Sequence, residues 1–408
     1  MTLQPRRMLM IASVWNKRFL TRALPAFILL FFVGLPLAGA HGYLIRAIPE
    51  DRSVLERAPA RVQYWFSEAL EPDFSTITVR DTSGTVVAEG GVSENDDKLM
   101  TARLPGSLPD GAYIVDLRLA FASDGHVIFE SRTFFVGEAV AGIGGVTSSD
   151  QAVTLEVIWR ALLLTSTLLL MGVFSLYALV LIPAWGSDAH PAGGLPPRVI
   201  KRLYLLAFAG LVLAVIANMT ALIQQTMVLF GVDAGRAISD GLWSVVRIGT
   251  RFGDTWNVRM LLLALIAGFL GAGWYWRHTQ PTLMRPFWVA SVWAMALVLF
   301  TWSIAAHAAG SLVLPWLAIL SDWLHGAAAG IWAGGMMALV LVLPVALKPY
   351  TGDARRQALL AVLRRFSGVV IATMAVVITT GIYNTTNWFT EADDVATSYG
   401  STLAFKLL

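Results

Sequence analysis

The residues of this 408-residue chain best able to do chemistry are six histidines and a few carboxylates, because it contains no cysteine. That absence removes disulfides, thiolate metal sites and thiol nucleophiles together. His190 and His278 sit beside Pro191 and Arg277 in polar loops and read as solvated surface. The other four, His41, His126, His307 and His325, stand where metal chemistry is possible. His41 follows Ala38-Gly39-Ala40, a small-residue signal-peptidase site. Cleavage after Ala40 leaves a mature N-terminal histidine, which can grip a metal through its α-amine and its imidazole Nδ1 together. An α-amine pKa of about 7.7 to 8.0 is low enough for the proton to yield to a metal. Asp124-Gly125-His126 sets a carboxylate and an imidazole around a turn that the glycine permits. One amine, two imidazoles and a carboxylate form a nitrogen/oxygen set that suits tetragonal Cu(II) ahead of Zn(II) or Ni(II).

A second group lies in apolar sequence. Asp322 and His325 are spaced i, i+3 and so project from one face of a helix. At about 1.5 Å rise per residue from Trp316, Asp322 lies ~9 Å and His325 ~14 Å deep, with His307 ~5 Å below the outer end of the preceding apolar run. An ionised carboxylate at that depth costs several kcal/mol unless paired or hydrated, which points to an ion pathway. The plainer alternative pairs Asp322 with a Trp N–H or with Arg259 and leaves the histidines in packing hydrogen bonds. Met171, Met219, Met227, Met295, Met336, Met337 and Met374 could relay Cu(I), although Met is also an ordinary apolar filler.

The elements that must position these residues divide the chain. Residues 1–40 read as a signal peptide, with Arg6, Arg7, Lys17, Arg18 and Arg22, no acid, and an apolar stretch over 23–37. Residues 41–140 form an acidic β-domain, in which runs such as 61–66, 75–79, 112–117 and 127–136 alternate between turn signals. Roughly seven strands predict a small antiparallel sandwich. Residues 141–153 read as a Gly/Ser linker. Residues 154–408 carry long apolar runs over 155–183, 203–230, 257–276, 287–309, 316–346 and 366–389, and a truncated seventh over 403–408. Each of the six can cross a bilayer core of ~30 Å as a helix. With 56% hydrophobic and 14% charged residues, a water-surrounded globule is excluded. Residues 41–150 hold 9 basic against 17 acidic residues, a balance that favours cations and disfavours nucleic acid. If the β-domain is exported, the inward connections hold ten basic residues, from Arg198, Lys201 and Arg202 to Arg364 and Arg365, in keeping with the positive-inside rule.

Residues 41–137 resemble CopC, a periplasmic copper-binding family, through His41-Gly-Tyr-Leu44, Ala47-Ile-Pro49, Phe66-Ser67-Glu68, Gly111-Ala-Tyr113 and Ser123-Asp-Gly-His126. The membrane half resembles CopD, its inner-membrane partner, through His307-Ala308, Asp322-Trp-Leu-His325, Gly330-Ile-Trp332, Thr380-Gly-Ile-Tyr383 and Tyr399-Gly400. The first resemblance implies a Greek-key β-sandwich or barrel holding Cu(II) through His41, Asp124 and His126. A methionine-rich Cu(I) site known in some CopC proteins is not expected, since Met100 is the one methionine of that region. The second implies a polytopic helical bundle of the bacterial inner membrane, with its N-terminal domain in the periplasm and His307, Asp322 and His325 as a transmembrane path. CopD bundles have about eight spans, two more than this chain completes. The partners implied are copper ions, Cu(II) outside and Cu(I) within the bundle, the lipid bilayer and periplasmic copper proteins. Two other classes stay open: a copper redox enzyme built on the His41 site, and a copper sensor or delivery scaffold without transport. No nucleotide-binding or c-type haem motif is present.

Overall fold

The computed structural model describes residues 43–122, 125, 127–138, 147–149, 154–185, 195–280, 283–305 and 314–386. Alternation builds the N-terminal sheet. Strand β3 (Arg61–Phe66) buries Val62, Tyr64 and Phe66, β4 (Thr76–Asp81) buries Ile77 and Val79, and β7 (Gly111–Ala120) buries Tyr113, Val115, Leu117 and Leu119. Each strand so turns one face to a shared core, completed by Met100 of β6 (Asp96–Arg103) and Phe134 and Val136 of β8 (Val127–Val136). With β1 (Leu44–Ile48), β2 (Val54–Leu55) and β5 (Val86–Ser93), the hydrogen-bonded order is β1-β3-β6-β5-β4-β7-β8-β2, and β9 (Thr147–Ser149) adds to β8. Neighbours are antiparallel except β2 and β8. The result is a curled half-barrel. Two of its nine described strands, β2 and β9, are two and three residues long, too short for alternation to be read. Strand β9 lies inside the stretch whose composition suggested a linker.

Among the described residues six helices are long and apolar enough to cross a membrane, and they make this a multi-pass membrane protein: Ile158–Trp185, Pro197–Phe230, Arg251–Trp276, Met284–Ser303, Pro315–Leu347 and Gly352–Thr386. In chain order the α-helical pieces are α1 (Thr154–Ser175), α2 (Ile182–Trp185), α3 (Pro197–Phe230), α4 (Ala234–Ser239), α5 (Leu242–Gly249), α6 (Arg251–Trp276), α7 (Met284–Ser303), α8 (Pro315–Ala329), α9 (Gly335–Leu347) and α10 (Gly352–Thr386). Two spans contain a π-helical turn, Leu176–Leu181 between α1 and α2 and Gly330–Gly334 between α8 and α9. At the second, backbone meets backbone: a Cβ on Gly334 would stand 1.9 Å from the Leu168 carbonyl oxygen, and one on Gly172 would stand 2.0 Å from the Gly334 carbonyl carbon. Small residues permit this approach, which lipid alone would not drive.

Candidate functional site: the seat of the β-domain on the bundle and the bundle cavity

The segment from Ser67 to Leu70 ties together two distant parts of the β-domain. The Tyr43 N–H donates to Ser67 Oγ at 3.0 Å and the Ser67 N–H to the Tyr43 carbonyl at 2.9 Å. Two residues on, the Ala122 N–H donates to the Ala69 carbonyl at 2.9 Å, and Leu70 bridges Phe121. The start of β1 and the entry to the β7–β8 turn therefore flank one short strap at one end of the sheet. His41, Asp124 and His126 themselves lie outside the described residues. Gly125 between them is described: its φ of +73° is a left-handed conformation suited to glycine. Its N–H donates to the Phe121 carbonyl at 2.8 Å, closing the turn.

That turn rests on the membrane helices. The Gly125 carbonyl accepts from Gln225 Nε2 of α3 at 2.6 Å. Nearby, Arg118 of β7 donates to the Val228 and Leu229 carbonyls at 3.3 and 2.9 Å, near the C-terminal end of α3. Glu71 Oε1 accepts the Arg251 N–H at 2.8 Å, the first residue of α6. Both pairings match charge to helix end, a cation at orphan carbonyls and an anion at an orphan N–H. Burial pushes the Glu71 carboxyl above its usual range, opposed by the hydrogen bond and charge of Arg251. Burial also lowers the Arg118 guanidinium. Phe74, Ala120 and partly buried Val127 of the β-domain share one apolar cluster with Trp159, Leu222, Leu229, Phe252 and Trp256 of the bundle. Phe74 and Phe230 meet edge to face at 5.4 Å.

Within the bundle, a cavity of about 440 Å³ is lined by Asp322 and His325 together with Arg259, Ser303, Trp159 and Trp302. The Ser303 hydroxyl donates to Asp322 Oδ2 at 2.7 Å. His325 Nδ1 lies 3.0 Å from Thr380 Oγ1, whose own proton points to the Val376 carbonyl at 2.6 Å. Arg259 of α6, itself buried, also lines the cavity, bonded to Thr301 Oγ1 at 3.1 Å and Asn218 Oδ1 at 3.2 Å and stacked 3.5 Å over Trp302. The Asp322 carboxylate is thus held by Ser303 and forms no ion pair with Arg259 among the described residues. His307 lies outside the described residues. Among the described residues no methionine lines the cavity, and Met219, Met336 and Met337 are exposed. Among the described residues no three histidine or carboxylate groups cluster tightly enough to hold a metal. The sequence alone did not single out Glu71, Arg118 and Gln225. The one signal for Gln225 was an amide pair, Gln224-Gln225, inside an apolar run.

Residues 44–137 match the CopC domain. Over 93% of the chain and 67% of the relative, the sequence is 26% identical to the copper transport protein CutJ of Bacillus subtilis (strain 168). Among solved structures, CopC from Methylosinus trichosporium OB3b is 28% identical, covering 24% of this chain and 99% of that one with a TM-score of 0.22. PcoC, a methionine-rich copper resistance protein from Escherichia coli, is 33% identical over 24% of this chain and 99% of its own, with a TM-score of 0.21. These matches are to copper-handling proteins and not to enzymes. A CopC domain joined to a membrane bundle is therefore the organisation of this chain.

Proposed function

We propose that the protein captures Cu(II) outside the bacterial inner membrane and passes copper to or across that membrane through its own bundle. In this reading the mature His41 amine and imidazole, Asp124 and His126 hold the incoming ion, periplasmic copper proteins are its donors, and His307, Asp322 and His325 receive it, with Cu(I) as the form carried inside. The observation that carries the reading is the position of the β7–β8 turn. The loop expected to bind the ion is hydrogen-bonded to a membrane helix, and the same bundle contains a cavity where a carboxylate and an imidazole share one wall. A carboxylate offsets part of the cost of bringing a cation out of water, and an imidazole lone pair replaces a hydration ligand. The test is radioactive copper uptake at matched membrane abundance for His325→Ala, Asp322→Asn and His307→Ala, with His278→Ala as the loop control. We expect each of the three to slow uptake several-fold. Uptake like that of the control in all three would leave these groups as packing residues. Intact mass of the extracted protein should show a chain beginning at His41, and a retained 1–40 segment would remove the proposed amine ligand.

A further inference from the structure

Gln225 is a polar side chain in a membrane-spanning helix, 6% exposed, five residues before the end of α3. An amide in that setting must find a partner, since an unmet hydrogen-bonding group there costs far more than in water. Its neighbour Gln224 accepts from Trp159 Nε1 at 3.1 Å, a contact between helices of the bundle. Gln225 turns the other way. It leaves the bundle and donates to a carbonyl of the β-domain 100 residues earlier in the chain.

The carbonyl it chooses is specific in its position. Gly125 stands between Asp124 and His126, so a hold on its peptide fixes the backbone from which both side chains depart. The fit is tight as well: a Cβ at residue 125 would lie 2.4 Å from Gln225 Nε2 and 2.7 Å from Cδ, besides meeting the strain of φ +73°. Glycine at 125 therefore serves the turn and the approach of the amide together. Arg118 and Glu71 fasten the domain at two helix ends, through the Leu229 carbonyl and the Arg251 N–H.

We propose that Gln225 is a positioning residue for the metal loop: by holding the Gly125 carbonyl it fixes the peptide that joins the proposed ligands Asp124 and His126. The inference rests on the copper reading above for what the loop binds, and on the hydrogen bond alone for how the loop is held. Gln225 touches no ion itself. Its effect is on where the loop sits and how tightly the loop is ordered before an ion arrives.

The test uses the full chain, in which the absence of cysteine lets a single Ile238→Cys carry a nitroxide label on exposed α4. Pulsed EPR then reads the distance from bound Cu(II) to that label, a quantity that a general loss of stability would not shift selectively. Gln225→Met keeps the length and removes the donor, and Gln225→Leu removes it with a shorter apolar side chain. Both should broaden the Cu(II)-to-label distance distribution and weaken Cu(II) binding about three- to tenfold, the range of one lost hydrogen bond. Gly125→Ala should do the same from the other side. Hydrogen exchange of the metal-free protein supplies the arm that does not need copper. Peptides spanning 121–130 should lose protection in Gln225→Met while those of β3 and β4 keep theirs. If the wild-type protein bound no Cu(II) but the exchange result held, the copper reading would fall and the positioning of the loop would stand. If Gln225→Met left protection, distance and affinity unchanged, the positioning role would be overturned.

Discussion

Glu71 is the residue where charge and burial are most directly opposed. Its carboxylate accepts an N–H at the start of α6, which favours the anion, but burial is the larger effect and raises its pKa from 4.5. A carboxyl with a raised folded pKa contributes stability that is fully present below its unfolded value and is lost as pH rises through the folded one. At neutral pH the ionised group is therefore a cost that the hydrogen bond only partly offsets. Glu71→Gln, which keeps an acceptor without the charge, should raise the thermal midpoint at pH 7 and flatten its fall above pH 4.5, as followed by tryptophan fluorescence. Glu71→Ala should lower it most below pH 4.5, where the uncharged carboxyl still accepts from the Arg251 N–H without the cost of a buried charge. Sequence spacing alone showed that Asp322 and His325 share a helix face, and both do line one cavity. It could not show that Ser303 and Thr380 hold them, since those partners come from other helices 19 and 55 residues away.

Among elements, the apolar runs marked all six spans, but their ends moved. Span three begins at Arg251, not 257, because Thr250 accepts the Gly253 N–H and caps a first turn that carries Asp254. Span six begins at Gly352, not 366, because the basic stretch through Arg364 and Arg365 continues the same helix beyond its apolar part. Hydropathy finds the part of a helix that lies in lipid and misses the part that does not. The π-turn at Gly330–Gly334 was equally hidden, since nothing local distinguishes it from ordinary helix. Its packing carries a prediction. Gly334→Ala must force the backbones of two spans apart and should cost about 1–3 kcal/mol, seen as reduced abundance and a lower thermal midpoint. Gly271→Ala, whose added methyl meets nothing within 4 Å, should be nearly neutral.

At the scale of the whole molecule, the β-domain is seated on the bundle by polar contacts at the ends of two membrane helices and by a shared apolar cluster. None of this could be read from the chain in advance, because each half is locally consistent without the other and residues 141–153 read only as a linker. The proposed orientation predicts the reach of a membrane-impermeant thiol reagent. Thr82→Cys, exposed in the β4–β5 turn, should label in intact spheroplasts, and Arg356→Cys at the start of α10 only after lysis. Labelling in the reverse order would invert the proposed topology. The seat also has a consequence for synthesis. Arg118 waits for a carbonyl 111 residues further along the chain, and Glu71 for an N–H 180 residues further along. At ~5–20 residues per second, the face around Phe74 and Ala120 stays uncovered for roughly 5–40 s after it is made. A newborn chain therefore carries an apolar, sticky surface through that interval, and slowing translation between residues 120 and 250 should increase its loss to aggregation and proteolysis.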